Sequence, residues 1–133
     1  MITLKSLASF SSAKDTTSQE IRNKNEDSFL SVTHTNKGYL FAVADGVGSY
    51  LGASEASSFV CNFLNSCKTI NHAYIKKELG YELSRSFKDH FSDMQDEYRK
   101  AATTLSFCFL DDNGLSIWHA GDSRVYIQKE KKL

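Results

Sequence analysis

The chain predicts an α+β fold, with helices stacked on a largely antiparallel sheet, from three observations. β-prone runs fill two blocks, Phe29–Ala44 and Ala102–Ile127, and turn residues divide each block into hairpins. Apolar residues between the blocks, from Ala53 to Tyr98, recur instead at helical spacing. Both blocks also break at an aspartate beside a glycine, Asp45-Gly46 in the first and Gly121-Asp122 in the second.

Ile2–Ser12 reads as a first strand and Ser11–Lys24 as a polar loop. Phe29–Thr33 is a strand by its β-branched and aromatic content, and a turn at Thr35–Gly38 leads into a second strand, Tyr39–Ala44. The unbroken apolar run Leu40–Ala44 predicts burial on both faces of that strand. Hairpin geometry brings Glu26 and Asp27, at the start of one strand, beside Asp45 at the end of the other. Three clustered carboxylates repel one another unless a positive charge lies between them. Asp45 with the carbonyl of Gly46 suits a hard cation, and the glycines let the backbone approach one. An ordinary strand-to-loop turn with a solvated acidic end explains the same residues, so both readings stand at this point.

Ala53, Ala56, Phe59, Val60, Phe63 and Leu64 predict a helix to about Cys67, capped by Ser49 or Ser54. A second helical region spans Asn71–Arg99, with Gly80 as its weak point; its apolar stripes are core faces, and His72 and His90 are solvated or capping residues. Ala102–Leu110 and Leu115–Ala120 form a hairpin about the Asp111–Gly114 turn, and Val125–Ile127 resumes a strand. Arg124 is the natural partner of a neighbouring carboxylate.

The 133 residues suit a single domain, residues 1–133, with enough chain to bury a core. A hydrophobic share of 41% and a charged share of 24% are those of a soluble globular protein. The 16 basic residues balance 16 acidic ones, which gives no electrostatic reason to expect nucleic acid or a membrane as partner. No apolar run approaches the ~20 residues of a membrane span, and Met1–Lys5 does not begin a signal peptide, so a cytoplasmic location is expected. Cys61 and Cys67 stand about 240° apart around a helix and Cys108 lies in an apolar strand, so free thiols are expected.

Four motifs then occur in one order: Arg22-x-x-x-Glu26-Asp27; Ala44-Asp45-Gly46-Val47-Gly48 with Gly52 and Ala56-Ser57 behind it; Thr103-Thr104-Leu105; and Ala120-Gly121-Asp122-Ser123-Arg124. Together they resemble the metal-dependent protein serine/threonine phosphatases, the PPM or type 2C family, in its bacterial style. The resemblance implies a β-sandwich flanked by helices in α-β-β-α layers, with two Mn²⁺ or Mg²⁺ ions at one end and a third bound more weakly. It implies hydrolysis of phosphoserine or phosphothreonine on protein substrates by a metal-activated water. Position by position, Asp45 would bridge the two ions, Gly46 would offer its carbonyl, Glu26 would serve the second ion, and Asp122 would help the third. Arg22 would grip the substrate phosphate, while Asp27, Thr104 and Arg124 would support the ligands without holding metal themselves.

Two departures qualify this expectation. Val47 stands where some members carry a histidine proposed to protonate the leaving group, and His119, the nearby alternative, is expected to be turned away by strand alternation. The chain also matches only the N-terminal half to two-thirds of the usual domain, and the two further aspartates of the family's metal centre have no counterpart. The chain is therefore expected to be a piece of a longer phosphatase, a truncated stand-alone relative, or one half that a complementing C-terminal segment or partner chain completes. Two functions follow: a protein serine/threonine phosphatase, or a catalytically weak or inactive phosphatase-like binding or regulatory module.

Overall fold

The computed structural model describes residues 25–35, 37–67 and 69–130. The expected strand at Ile2–Ser12, the loop to Lys24 and Arg22 within it lie outside the described residues. Strands β1 (Asp27–His34), β2 (Gly38–Asp45), β3 (Leu105–Asp111) and β4 (Gly114–Ala120) make one antiparallel sheet in that spatial order. The α+β class follows as predicted, with one sheet and one helical layer among the described residues.

Side-chain chemistry fixes both hairpins. The Thr35 hydroxyl donates to the Gly38 carbonyl at 3.1 Å and accepts from the Gly38 amide at 3.0 Å, closing the first turn. In the second, Asp111 Oδ1 accepts the amides of Asn113 and Gly114, at 2.8 and 3.1 Å, and Gly114 takes a φ of +144° that a residue with a Cβ resists.

Leu40, Ala42 and Ala44 of β2, with Leu105, Phe107 and Phe109 of β3, form the core against the helices. Phe107 and Phe109 are fully buried, each contributing roughly 1.5–3 kcal/mol against the ~0–1 kcal/mol of an exposed ion pair such as Arg99–Asp96. Packing, not surface charge, therefore holds the sheet to its helices. The two-faced burial expected of Leu40–Ala44 is corrected here: the strand alternates, and Val43 is 55% exposed. The helices cover one face of the sheet, and no element among the described residues covers the other.

Helix α1 (Ala53–Ser66) packs Val60, Cys61 and Leu64 with the sheet residues, and Ala56 with Phe91 of the second helical region. Neither Ser49 nor Ser54 caps it; the cap position is Gly52 at φ +86°, where a Cβ would lie 2.7 Å from the Tyr98 ring. The second helical region begins with α2 (His72–Tyr74), whose first turn is capped by the Asn71 side chain, and passes through a π-helical turn at Ile75–Leu79 into α3 (Gly80–Ser92). The irregularity thus falls just before Gly80, where a Cβ would make ordinary contact with the Trp118 indole at 3.5 Å.

His72 is neither solvated nor a cap. Its Nε2 meets Asp111 Oδ1 at 2.7 Å and its Nδ1 meets the Ser116 hydroxyl at 2.5 Å, tying the start of α2 to the β3–β4 hairpin. His90 is exposed as expected but lies over Phe59, with ring centres 4.7 Å apart. The predicted strand at Val125–Ile127 does not form among the described residues, where those side chains are exposed.

Candidate functional site

Asp45 ends β2 directly opposite Asp27 of β1. The Gly46 amide donates to the Glu26 carbonyl at 3.1 Å, which makes Asp27 and Asp45 a non-hydrogen-bonded pair, the arrangement that sets facing side chains closest. On its other flank the Asp45 backbone is gripped from the segment leading into β3. The Thr104 amide donates to the Asp45 carbonyl at 2.8 Å, the Asp45 amide donates to the Thr104 hydroxyl at 3.1 Å, and the Thr103 hydroxyl adds a bond to the same carbonyl at 3.1 Å. A strand end normally frays, and this one is pinned.

Asp122 reaches the same place through the corner that follows β4. Gly121 turns at φ +109°, with so little room that a Cβ would lie 2.7 Å from the Thr104 side chain. The Ser123 hydroxyl pairs with that of Thr104 at 3.0 Å. Helix α1 closes the site from its other side. A Cβ on Gly46 would lie 2.2 Å from the Ala53 carbonyl, so glycine is what lets the start of α1 pack here. Ser57, fully buried, donates to the Glu26 carbonyl at 2.6 Å and meets the Ser28 hydroxyl at 2.8 Å.

Like charges gather around Asp45. Burial raises the Asp45 carboxyl above its ordinary value, Asp27 adds a shared hydrogen bond and like charge, and Asp122 and Glu26 add further like charge. Hard carboxylate oxygens converging in this way suit Mg²⁺ or Mn²⁺ in donor chemistry. Among the described residues, no group of three or more His, Cys, Asp or Glu side chains is arranged to hold one ion. The oxygen donors fit, and among the described residues they do not close a cage.

The structure thus brings together Glu26, Asp27, Asp45, Gly46, Thr104 and Asp122 from β1, β2 and the segments flanking β3 and β4. Arg22 lies outside the described residues. Arg124 does not meet a carboxylate as expected; it is exposed and reaches the Tyr126 hydroxyl at 3.4 Å. Val47 donates its amide to Ala102 at 2.9 Å and offers no side-chain proton. His119 corrects the alternation argument. Val43, Ser106 and His119 make one cross-strand row, so His119 shares the face of Asp45, with Nδ1 at 2.8 Å from the Ser106 hydroxyl and Nε2 at 2.9 Å from the Gly121 carbonyl. Ser57 stands in the second motif without an assigned role, and Ser106 carries no signal in the sequence until register places it.

A family model described as Protein phosphatase 2C matches residues 17–133. Among solved structures, the serine/threonine phosphatase Stp1 from Staphylococcus aureus matches with a TM-score of 0.66 at 24% identity, over 84% of this chain and 46% of its own. A bacterial serine phosphatase bearing an arginine-to-lysine mutation matches with a TM-score of 0.57 at 27% identity, over 77% of this chain and 44% of its own. No curated protein matches. The chain spans somewhat less than half the length of the two solved structures. With the family model covering nearly all of its length and the sheet and helices superposing on phosphatases, the chain belongs to the protein phosphatase 2C family.

Proposed function

We propose that this chain carries the Asp45 half of a metal-dependent protein serine/threonine phosphatase centre, acting on phosphoserine and phosphothreonine in protein substrates. The observation that carries the reading is Asp45 itself, pinned by Thr103 and Thr104 and crowded by Asp27, Asp122 and Glu26. Bound Mn²⁺ or Mg²⁺ would supply positive charge among these carboxylates and acidify a water for in-line attack on phosphorus. Asp45, the Gly46 carbonyl and Glu26 are the residues to hold two ions, with Asp122 helping a third. Arg22 is the residue to orient the substrate phosphate and offset its charge. Asp27 and Thr104 support these groups. Val47 has no proton to give, so water or another group would protonate the departing oxygen.

The face of the sheet opposite the helices supports the need for a complementing segment, from the C-terminal side or from a partner chain. Phe29, Val43, Leu115 and Ile117 are exposed there, and a groove of about 280 Å³ runs between β1–β3 and Val125–Tyr126. Single exposed apolar residues are ordinary, but a contiguous face of them is where a second sheet would pack. A cytoplasmic location accords with this reading, and no helix among the described residues is long and apolar enough to cross a membrane.

The test is release of phosphate from p-nitrophenyl phosphate or a phosphopeptide with Mn²⁺ present, lost on Asp45→Asn. An Asp45→Asn variant that keeps the native rate defeats the reading. The absence from this sequence of a counterpart to the family's two further aspartates motivates a second reading, a phosphatase-like module that binds without turnover. Calorimetric Mn²⁺ binding without phosphate release would select it.

A further inference from the structure

The corner that delivers Asp122 is held at two points and carries the aspartate between them. One is the pairing of the Ser123 and Thr104 hydroxyls at 3.0 Å. The other is the His119 ring, which spans from the Ser106 hydroxyl at 2.8 Å to the Gly121 carbonyl at 2.9 Å. A carbonyl only accepts, so Nε2 carries the proton; in the neutral ring Nδ1 then accepts and the Ser106 hydroxyl donates. Ser106 is 4% exposed, so water does not compete for that hydroxyl and the ring is held in one orientation. Past the corner, Arg124 has only its 3.4 Å contact with Tyr126, and Val125 and Tyr126 are exposed. The downstream chain therefore adds little anchorage, and the two ties set where Asp122 points.

We infer that His119 is a positioning residue: bonded to Ser106 and Gly121, it fixes the Gly121-Asp122 corner so that the Asp122 carboxylate faces Asp45. This rests on the reading of Asp122 as a metal-binding group. The role requires no proton transfer by His119. It resembles the outer partners of metal ligands, whose loss lowers metal affinity by about 10–100-fold.

The test is Mn²⁺ binding to this chain by calorimetry, paired with amide exchange at Gly121–Ser123 in metal-free protein. His119→Ala is expected to weaken binding about 10-fold and speed exchange at the corner, at the lower end of the outer-partner range. His119→Gln, whose side-chain amide can still donate to the Gly121 carbonyl, is expected to retain most of the native affinity. Adding His119→Ala to Asp122→Asn should weaken binding no further, because the ring acts through Asp122. Native affinity in His119→Ala, or equal additional losses with and without Asp122, overturns the positioning role. If His119→Ala does not fold, Ser106→Ala frees the ring and carries the same test, with native affinity and native corner exchange again the overturning result. Asp122→Asn separates the two inferences. If it binds Mn²⁺ as the native chain does, or if the native chain binds none, the metal reading of Asp122 fails and the role of His119 fails with it. If Asp122→Asn weakens binding and His119→Ala does not, only the role of His119 fails.

Discussion

The antiparallel ladder of β2 and β3 has an aspartate near each end. Beside Gly38, Asp111 meets the His72 ring at 2.7 Å and accepts two turn amides, and the His72 hydrogen bond leads the effects that hold its carboxyl below the ordinary range. At the opposite end Asp45 faces three other acidic residues, and its carboxyl is pushed up. The first end uses charge to fasten α2 to a hairpin. The second holds repulsion in place with backbone bonds from Thr103 and Thr104. Local repulsion that the surrounding fold is built to withstand marks a place arranged for a ligand.

The sharpest break in the comparison is Asp45→Asn. Mn²⁺-dependent phosphate release should fall by more than the ~10–100-fold that losing an outer partner costs, since on the proposed reading Asp45 is itself a ligand. The metal-free melting temperature should rise in the same variant, because a repelled charge is gone. The corresponding change at the other end, Asp111→Asn, should lower the melting temperature and leave Mn²⁺ affinity as it was. Activity assays, calorimetry and thermal melts on the two variants check all four outcomes, and a destabilised metal-free Asp45→Asn would contradict the account.

Glycines at the two ends sharpen it further. A Cβ on Gly46 would lie 2.2 Å from the Ala53 carbonyl, and one on Gly38 would lie 2.3 Å from the Leu110 carbonyl. Backbone cannot swing aside as a side chain does, so each alanine variant should lose about 1–3 kcal/mol, the usual scale of overpacking, or more. Only Gly46→Ala should also weaken Mn²⁺ binding, because moving α1 moves Glu26 through Ser57. Denaturant midpoints would test the shared loss, and calorimetry the difference.

The parts of this arrangement that were legible in the sequence are local ones. Turn residues and β-rich runs define both hairpins, and hairpin geometry alone places Asp27 beside Asp45. The ties from Thr103 and Thr104 to Asp45 were not legible, since they join residues on either side of the whole helical region. The same holds for His72, whose partners Asp111 and Ser116 are set only once α2 docks on the β3–β4 hairpin. Alternation was applied to His119 without the β3–β4 register, and register decides which face a side chain takes. The apolar run in β2 suggested two buried faces, whereas the described fold covers one. Gly52 took the cap position from the serines because the close approach of Tyr98 requires a residue without a Cβ there.

His72→Ala tests the fastened end more gently, because the turn amides still hold Asp111. It should lower the melting temperature by a few degrees, the scale of roughly a single hydrogen bond in a domain of this size. Phosphate release per folded molecule should be unchanged. A loss of Mn²⁺ affinity in His72→Ala would show that the two ends are coupled along the ladder, which the separate hydrogen-bond sets argue against.

The smallest expected effect is in the pH dependence, where the two aspartates act with opposite sign. Asp45 has a folded pKa above its ordinary value of 3.8, so its charge destabilises metal-free protein at neutral pH. As pH falls through the raised value toward 3.8 the repulsion is relieved, and the native chain should gain stability that Asp45→Asn does not. Asp111 has a folded pKa below 3.8, so its stabilisation is complete above that value and is lost as pH falls through the lowered one. Asp111→Asn should remove that second decline. Other carboxyls titrate nearby, so the useful quantity is the difference between each variant and the native chain in denaturant midpoint from neutral pH to about pH 3. Two difference curves of opposite slope, the Asp45 one lying above the ordinary carboxyl range and the Asp111 one below it, are the expected result. Curves of the same sign would mean that the carboxylates around Asp45 do not repel as their placement requires.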